Sequence, residues 1–147
     1  MKRFVVSCIL FAGMASAVLS QDASAGDAER LQGEWLLASV EIHGKTLPAS
    51  AGKGGSIVFA KDGKVIMKDP GKPDKNGTYK IDAGKTPKQL DLILVKGGKD
   101  SEERKGIYEL NDDELKIGFS RFGPKGNRPD GFKGDKIVIL NLKRQKT

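Results

Sequence analysis

The sequence predicts an all-β fold, an eight-stranded antiparallel up-and-down barrel that follows an N-terminal signal peptide. Three observations predict it. Apolar and polar residues alternate with a period of two through most of the chain, the pattern of strands with one buried face. The alternating runs are short, and clusters of Gly, Lys and Asp of hairpin length separate them. An open sheet of so many sequential strands would leave two unpaired edges, whereas closure satisfies every ladder. A two-sheet sandwich is the main alternative. With 147 residues the chain suits one domain. Its 37% hydrophobic content is enough for a core, so wholesale disorder is excluded.

The N-terminus stands apart from this pattern. Lys2 and Arg3 are basic, and Phe4 to Leu19 is apolar or small without a charge. Small residues follow at Ala15-Ser16-Ala17, Val18-Leu19-Ser20 and Ala23-Ser24-Ala25. That order is a secretory signal peptide over residues 1–20, with cleavage after Ser20 favoured and Ala17 and Ala25 as alternatives. The apolar run is shorter than the roughly 20 residues of a membrane-spanning helix, which argues against a retained anchor. Val5-Val6-Ser7-Cys8 looks like a lipoprotein box, but too few apolar residues precede Cys8 for a hydrophobic region of roughly 7–15 residues. A secreted or periplasmic location is therefore expected, with no transmembrane segment in the mature chain. Cys8 is the single cysteine and leaves with the signal, so stability must come from packing without a disulfide. Residues 21–29 are small and polar and read as a flexible leader. Only Ala28–Gln32 offers a helical turn. The barrel domain then spans residues 30–147.

The strands read in order. Gly33–Ile42 is rich in branched and aromatic residues and turns at His43-Gly44-Lys45. After a Gly/Ser/Pro loop from Pro48 to Gly55, Ser56–Ala60 is the second strand, and Lys61-Asp62-Gly63 is a hairpin signal. Lys64–Lys68 follows with Val65 and Met67 on one face. Asp69 to Lys75 carries two prolines and cannot sit in a central strand. Asn76-Gly77 reads as a turn that opens Thr78–Asp82. Gln89–Val95 places Leu90, Leu92 and Leu94 on one face. Arg104–Leu110 and Glu114–Ser120 flank a tight turn at Asn111-Asp112-Asp113. A long loop from Arg121 to Asp135 precedes the last strand, Lys136–Lys143.

These residues carry a resemblance. Gly33-Glu34-Trp35 is similar to the G-x-W that opens lipocalins, in which the Trp plugs one barrel end beneath a basic residue of the last strand. Arg144 is the best match for that residue, with Lys143 second. A closer resemblance is to a lipocalin-like domain family of uncharacterised function, frequent in planctomycete secreted proteins. It rests on Leu31-Gln32-Gly33-Glu34-Trp35, Ser39, Glu41, Gly44-Lys45 and Leu47-Pro48. It continues through Pro87-Lys88, Leu90-Asp91-Leu92, Gly106-Ile107-Tyr108-Glu109-Leu110 and Leu115-Lys116-Ile117. It ends at Arg128-Pro129, Phe132 and Leu142-Lys143-Arg144. A departure is Gly118, where the family often has Cys; its absence is expected to remove a core side chain. The resemblance implies a fold, with Gly33, Trp35 and Arg144 closing the barrel. It implies no catalytic residue.

The residues offer little for catalysis. The single His43 sits in a turn, with Glu41 as a conceivable partner, and reads as a solvated imidazole. Gly44-Lys45-Thr46 and Gly84-Lys85-Thr86 lack the first Gly of a phosphate loop and precede no helix. Asn76-Gly77-Thr78 matches a glycosylation sequon but is better read as a turn. The acid clusters Asp100-Ser101-Glu102-Glu103 and Asp112-Asp113-Glu114 lack calcium-loop spacing and read as solvated turns. Glu41 and Asp91 are a conceivable carboxylate pair. No enzyme activity, cofactor or metal is expected.

Two binding readings remain. In the first, the barrel takes up a small apolar or amphipathic ligand, lined by Trp35, Tyr79, Leu90, Leu92, Leu94, Tyr108, Ile117 and Phe119. In the second, the barrel is filled, and an envelope interaction domain contacts an anionic polymer or a protein. It would do so through a basic loop carrying Arg121, Lys125, Arg128 and Lys133, where cations interleave with Phe122 and Phe132. Specific nucleic-acid binding is not expected. The plain alternative for that loop is a cover folded over a barrel end and pinned by the two phenylalanines. The net charge of +7 falls to +5 once Lys2 and Arg3 are removed.

Overall fold

The computed structural model describes residues 16–49, 54–96, 98, 100–123 and 126–146. The basic n-region, Cys8 and Lys125 lie outside them. The elements run α1 (Ser16–Leu31), β1 (Gly33–Ile42), β2 (Lys45–Pro48), β3 (Ser56–Phe59), β4 (Lys64–Lys68) and β5 (Lys75–Asp82). They continue as β6 (Lys88–Lys96), β7 (Asp100–Asn111), β8 (Glu114–Ser120) and β9 (Ile137–Arg144).

From β3 to β9 each strand pairs antiparallel with the next, and β9 returns to β1 from Trp35 opposite Arg144 to Ile42 opposite Val138. β1 also pairs with β3, from Gly33 opposite Phe59 to Leu36 opposite Ser56. Eight strands thus close into an antiparallel up-and-down barrel of the lipocalin-like kind, with β2 as a short extra strand on the far half of β1. A register shift between Leu37 and Ser39 marks where β1 bends from one partner toward the other.

β2 was not anticipated. His43 and Gly44 both take positive φ, 55° and 70°, the backbone of a tight primed hairpin that folds Lys45–Pro48 straight back on β1. Its residues are all exposed, and Lys45 and Pro48 blunt its free edge.

Three other expectations are corrected. The leader over residues 21–29 is not a coil: it belongs to α1, an Ala-rich segment without proline whose Leu31 is fully buried against the barrel. Asn76-Gly77 is not a turn but lies inside β5, opposite Ile66 and Val65. The chain reverses earlier, where Lys72 donates its backbone N–H to the Asp69 carbonyl at 3.0 Å. Gly77 sits in the strand because β6 comes so close that any Cβ would collide with the Ile93 carbonyl oxygen. Finally, Asp100 to Glu103 extends β7 rather than forming a turn.

One main core lies inside the barrel. It joins Trp35 and Leu31 to Ile57, Phe59, Val65, Tyr79, Leu90, Leu92, Leu94, Tyr108, Leu110, Leu115, Ile117, Phe119 and Leu142. Phe59 and Tyr79 meet edge to face at 5.0 Å, and the Tyr79 hydroxyl donates to the Ala60 carbonyl at 3.1 Å. A second, smaller core of Ile107, Ile137 and Ile139 lies on the opposite, outward face of β7 and β9 and is covered by Phe132. Gly118 belongs to this outer row, between Ile107 and Ile139 in the ladder. The core side chain missing at Gly118 is thus missing from the outer core. A Cβ there would stand 2.8 Å from Ile137 Cδ1, under the covering loop.

Candidate functional site

The sequence points to three places: the barrel interior, its closed end, and the basic loop. The first is determined by packing. Trp35, Leu90, Leu92 and Ile117 each have 0% exposure. Tyr79, Leu94, Tyr108 and Phe119, the other expected lining residues, are buried in the same cluster. All eight are brought together, but against one another. A cleft lies instead outside the barrel wall.

The closed end is built by β1, β9 and α1. Because Trp35 and Arg144 are opposite each other in the ladder, their side chains share the inward face, and the guanidinium stacks 4.3 Å from the indole ring. Arg144 donates to the carbonyls of Gln32, at 2.9 Å, and Arg30. Its Nε lies 3.7 Å from an Asp113 carboxylate oxygen. The indole N–H donates to the Leu31 carbonyl at 2.8 Å. Gly33 joins helix to strand with φ 115°, a conformation that favours glycine, and its open side faces Arg144. The basic residue thus directs its donors to carbonyls at the C-terminal end of α1, Arg30 in its last turn and Gln32 just beyond it.

Asp27 completes this end, and sequence reasoning missed it. Its carboxylate is 5% exposed as a residue and accepts from Lys88 Nζ at 2.8 Å and from the Tyr108 hydroxyl at 2.7 Å. Arg30 stands 3.5 Å away on the next turn. Burial pushes the Asp27 pKa up, but the hydrogen bonds from Lys88 and Tyr108 and the charges of Lys88 and Arg30 together hold it below the usual range. Burial, followed by the bond to Asp27, pushes the Tyr108 hydroxyl far up. One turn earlier, Ser24 Oγ accepts the backbone N–H of Ala83 at 3.0 Å. The signal was present in the sequence: Asp27 and Leu31 fall four apart, on one face of a helix that ends at the G-x-W.

The basic loop lies against the outer wall rather than across a barrel end, because its apolar anchor is the outer core. Phe132 covers Ile107, Ile137 and Ile139, with Lys116 Nζ 5.4 Å from its ring. Phe122 is 62% exposed and is not part of that core. Arg128 is not a free loop cation. It grips Asp91 with two bonds, at 2.6 and 3.1 Å, and donates to the Gly106 carbonyl at 2.7 Å. Asp91 is thereby committed on β6, while Glu41 lies on β1, with β7, β8 and β9 between them in the sheet. The structure does not bring that carboxylate pair together. Arg121 lies 3.3 Å from His43 Nδ1, joining the loop to the β1–β2 turn.

Between loop and wall runs a cleft of about 680 Å³. Its lining includes the exposed Phe122, Lys133 and Lys136, with Asp130 and Asp135 as the acidic members. Among the described residues, no group of three or more His, Cys, Asp or Glu could hold a metal ion. No helix among them is long and apolar enough to cross a membrane. No protein-family model, curated protein or solved structure matches the chain.

Proposed function

We propose that this chain is an extracytoplasmic interaction module whose barrel is a filled scaffold, and that it binds an anionic polymer at the Arg121–Lys136 loop. The observation that carries the reading is the division of space: the inward side chains are buried against one another, and an open cleft of about 680 Å³ lies on the outer wall. A small apolar guest in the interior would have to displace side chains already in contact, at a cost in packing. The outer cleft needs no such displacement. Phe122 offers a flat apolar surface, and Arg121, Lys133 and Lys136 offer exposed cations beside it. The +5 charge expected after leader removal adds long-range attraction. Export through a cleaved signal peptide, and kinship with the secreted lipocalin-like family, belong to the same proposal and rest on the sequence patterns already given.

Binding to immobilised heparin or polyphosphate tests it. The wild-type domain is expected to be retained at low salt and released steeply as salt rises. Replacing Arg121, Lys133 and Lys136 together by Ser should weaken retention at least tenfold while leaving the melting temperature nearly unchanged. Retention that ignores those substitutions, or no retention at low salt, contradicts the reading. Arg128 is left out of the set because its task is internal.

A further inference from the structure

We propose that leader processing occurs N-terminal to Ser24, so that Ser24–Leu31 stays in the mature protein as the plug of the closed barrel end. The proposal rests on the export reading above and deepens it by choosing among the small-residue sites. Cleavage after Ala25 satisfies the small-residue rule as well as cleavage after Ala17 or Ser20 does. The fold distinguishes them.

A cut after Ala25 removes Ser24 and with it the acceptor for the Ala83 N–H. It leaves only Gly26–Leu31 of α1, far below the length at which a helix holds itself together, roughly 12 residues. Yet this remnant carries Asp27, the acceptor for Lys88 and Tyr108, and Leu31, whose carbonyl takes the Trp35 indole N–H. It also supplies the Arg30 carbonyl that Arg144 grips. If it frays, the Tyr108 hydroxyl and the indole N–H lose their partners in a buried setting. A cut after Ser20 or Ala17 keeps Ser24 and its bond to the Ala83 N–H, which ties at least Gln21–Leu31 of α1 to the barrel end.

The full chain, expressed with its leader in a bacterial host, gives a direct test by intact mass of the exported protein. The expected product begins at Gln21 or Val18. A product beginning at Gly26 overturns the proposal. An uncut, unexported chain overturns both the export reading and the proposal, and so separates the two failures. A second arm needs no export: chains beginning at Gln21 and at Gly26 are made without a leader and melted side by side. The shorter chain is expected to melt at least about 5 °C lower. Equal melting temperatures would show that Ser24 and the first turns of α1 are dispensable, which also overturns the proposal.

Discussion

Asp27 holds a negative charge almost out of water because three groups converge on it, Lys88, Tyr108 and Arg30. Removing the acceptor leaves a buried phenol and a lysine without it. Asp27→Ala is expected to cost about 1.5–3 kcal/mol, measured by denaturant unfolding. The pH dependence follows from the direction of its pKa. A carboxyl held below its ordinary value contributes stability above that value, near 3.9, and loses the contribution as pH falls through the lower folded value. The stability gap between wild type and Asp27→Asn should therefore be full at neutral pH and close below about pH 4. A gap that stays constant into acid would show that the charge is irrelevant. The Gly33, Trp35 and Arg144 constellation, by contrast, could be named from the sequence, because the G-x-W and the basic residue after the last strand are local patterns. Asp27 could not be named so easily: a short polar stretch reads as coil until the partners that bury it, 61 and 81 positions away, are in place.

The strands were legible because period-two alternation and hairpin turns are written within a few residues. β4 and β8 fall on the residues expected, Lys64–Lys68 and Glu114–Ser120. What escaped were elements fixed by tertiary neighbours. α1 is held by its contacts with the barrel end. Asn76-Gly77 carries a turn signature but lies in a strand, where the glycine serves a close backbone approach. The basic loop was found, but its attachment to the outer wall was not, since that depends on Asp91 and on an outward row of isoleucines. Arg128 is the clasp of that element. Arg128→Ala should leave the barrel folded and make residues 121–136 several-fold more sensitive to brief trypsin treatment, because the loop loses its bonds to Asp91 and Gly106. An unchanged cleavage rate would mean that Phe132 alone secures the loop.

Closure governs the whole molecule. With β9 paired to β1 the short β2 is the one open edge among the described strands, and with α1 seated under Trp35 one end is sealed. The sequence could predict closure from strand count and edge logic, but not whether the interior is hollow, since the same inward leucines and aromatics can line a cavity or fill one. Here they fill it. The single tryptophan reports on that claim directly, because Trp35 has no exposed surface and sits at the floor of the barrel. Its fluorescence should be blue-shifted and resistant to acrylamide. Emission and melting temperature should both stay fixed across a panel of fatty acids, retinoids and other apolar metabolites. Saturable quenching or a spectral shift by one of them, with a matching rise in melting temperature, would show a ligand entering the barrel and contradict the filled scaffold.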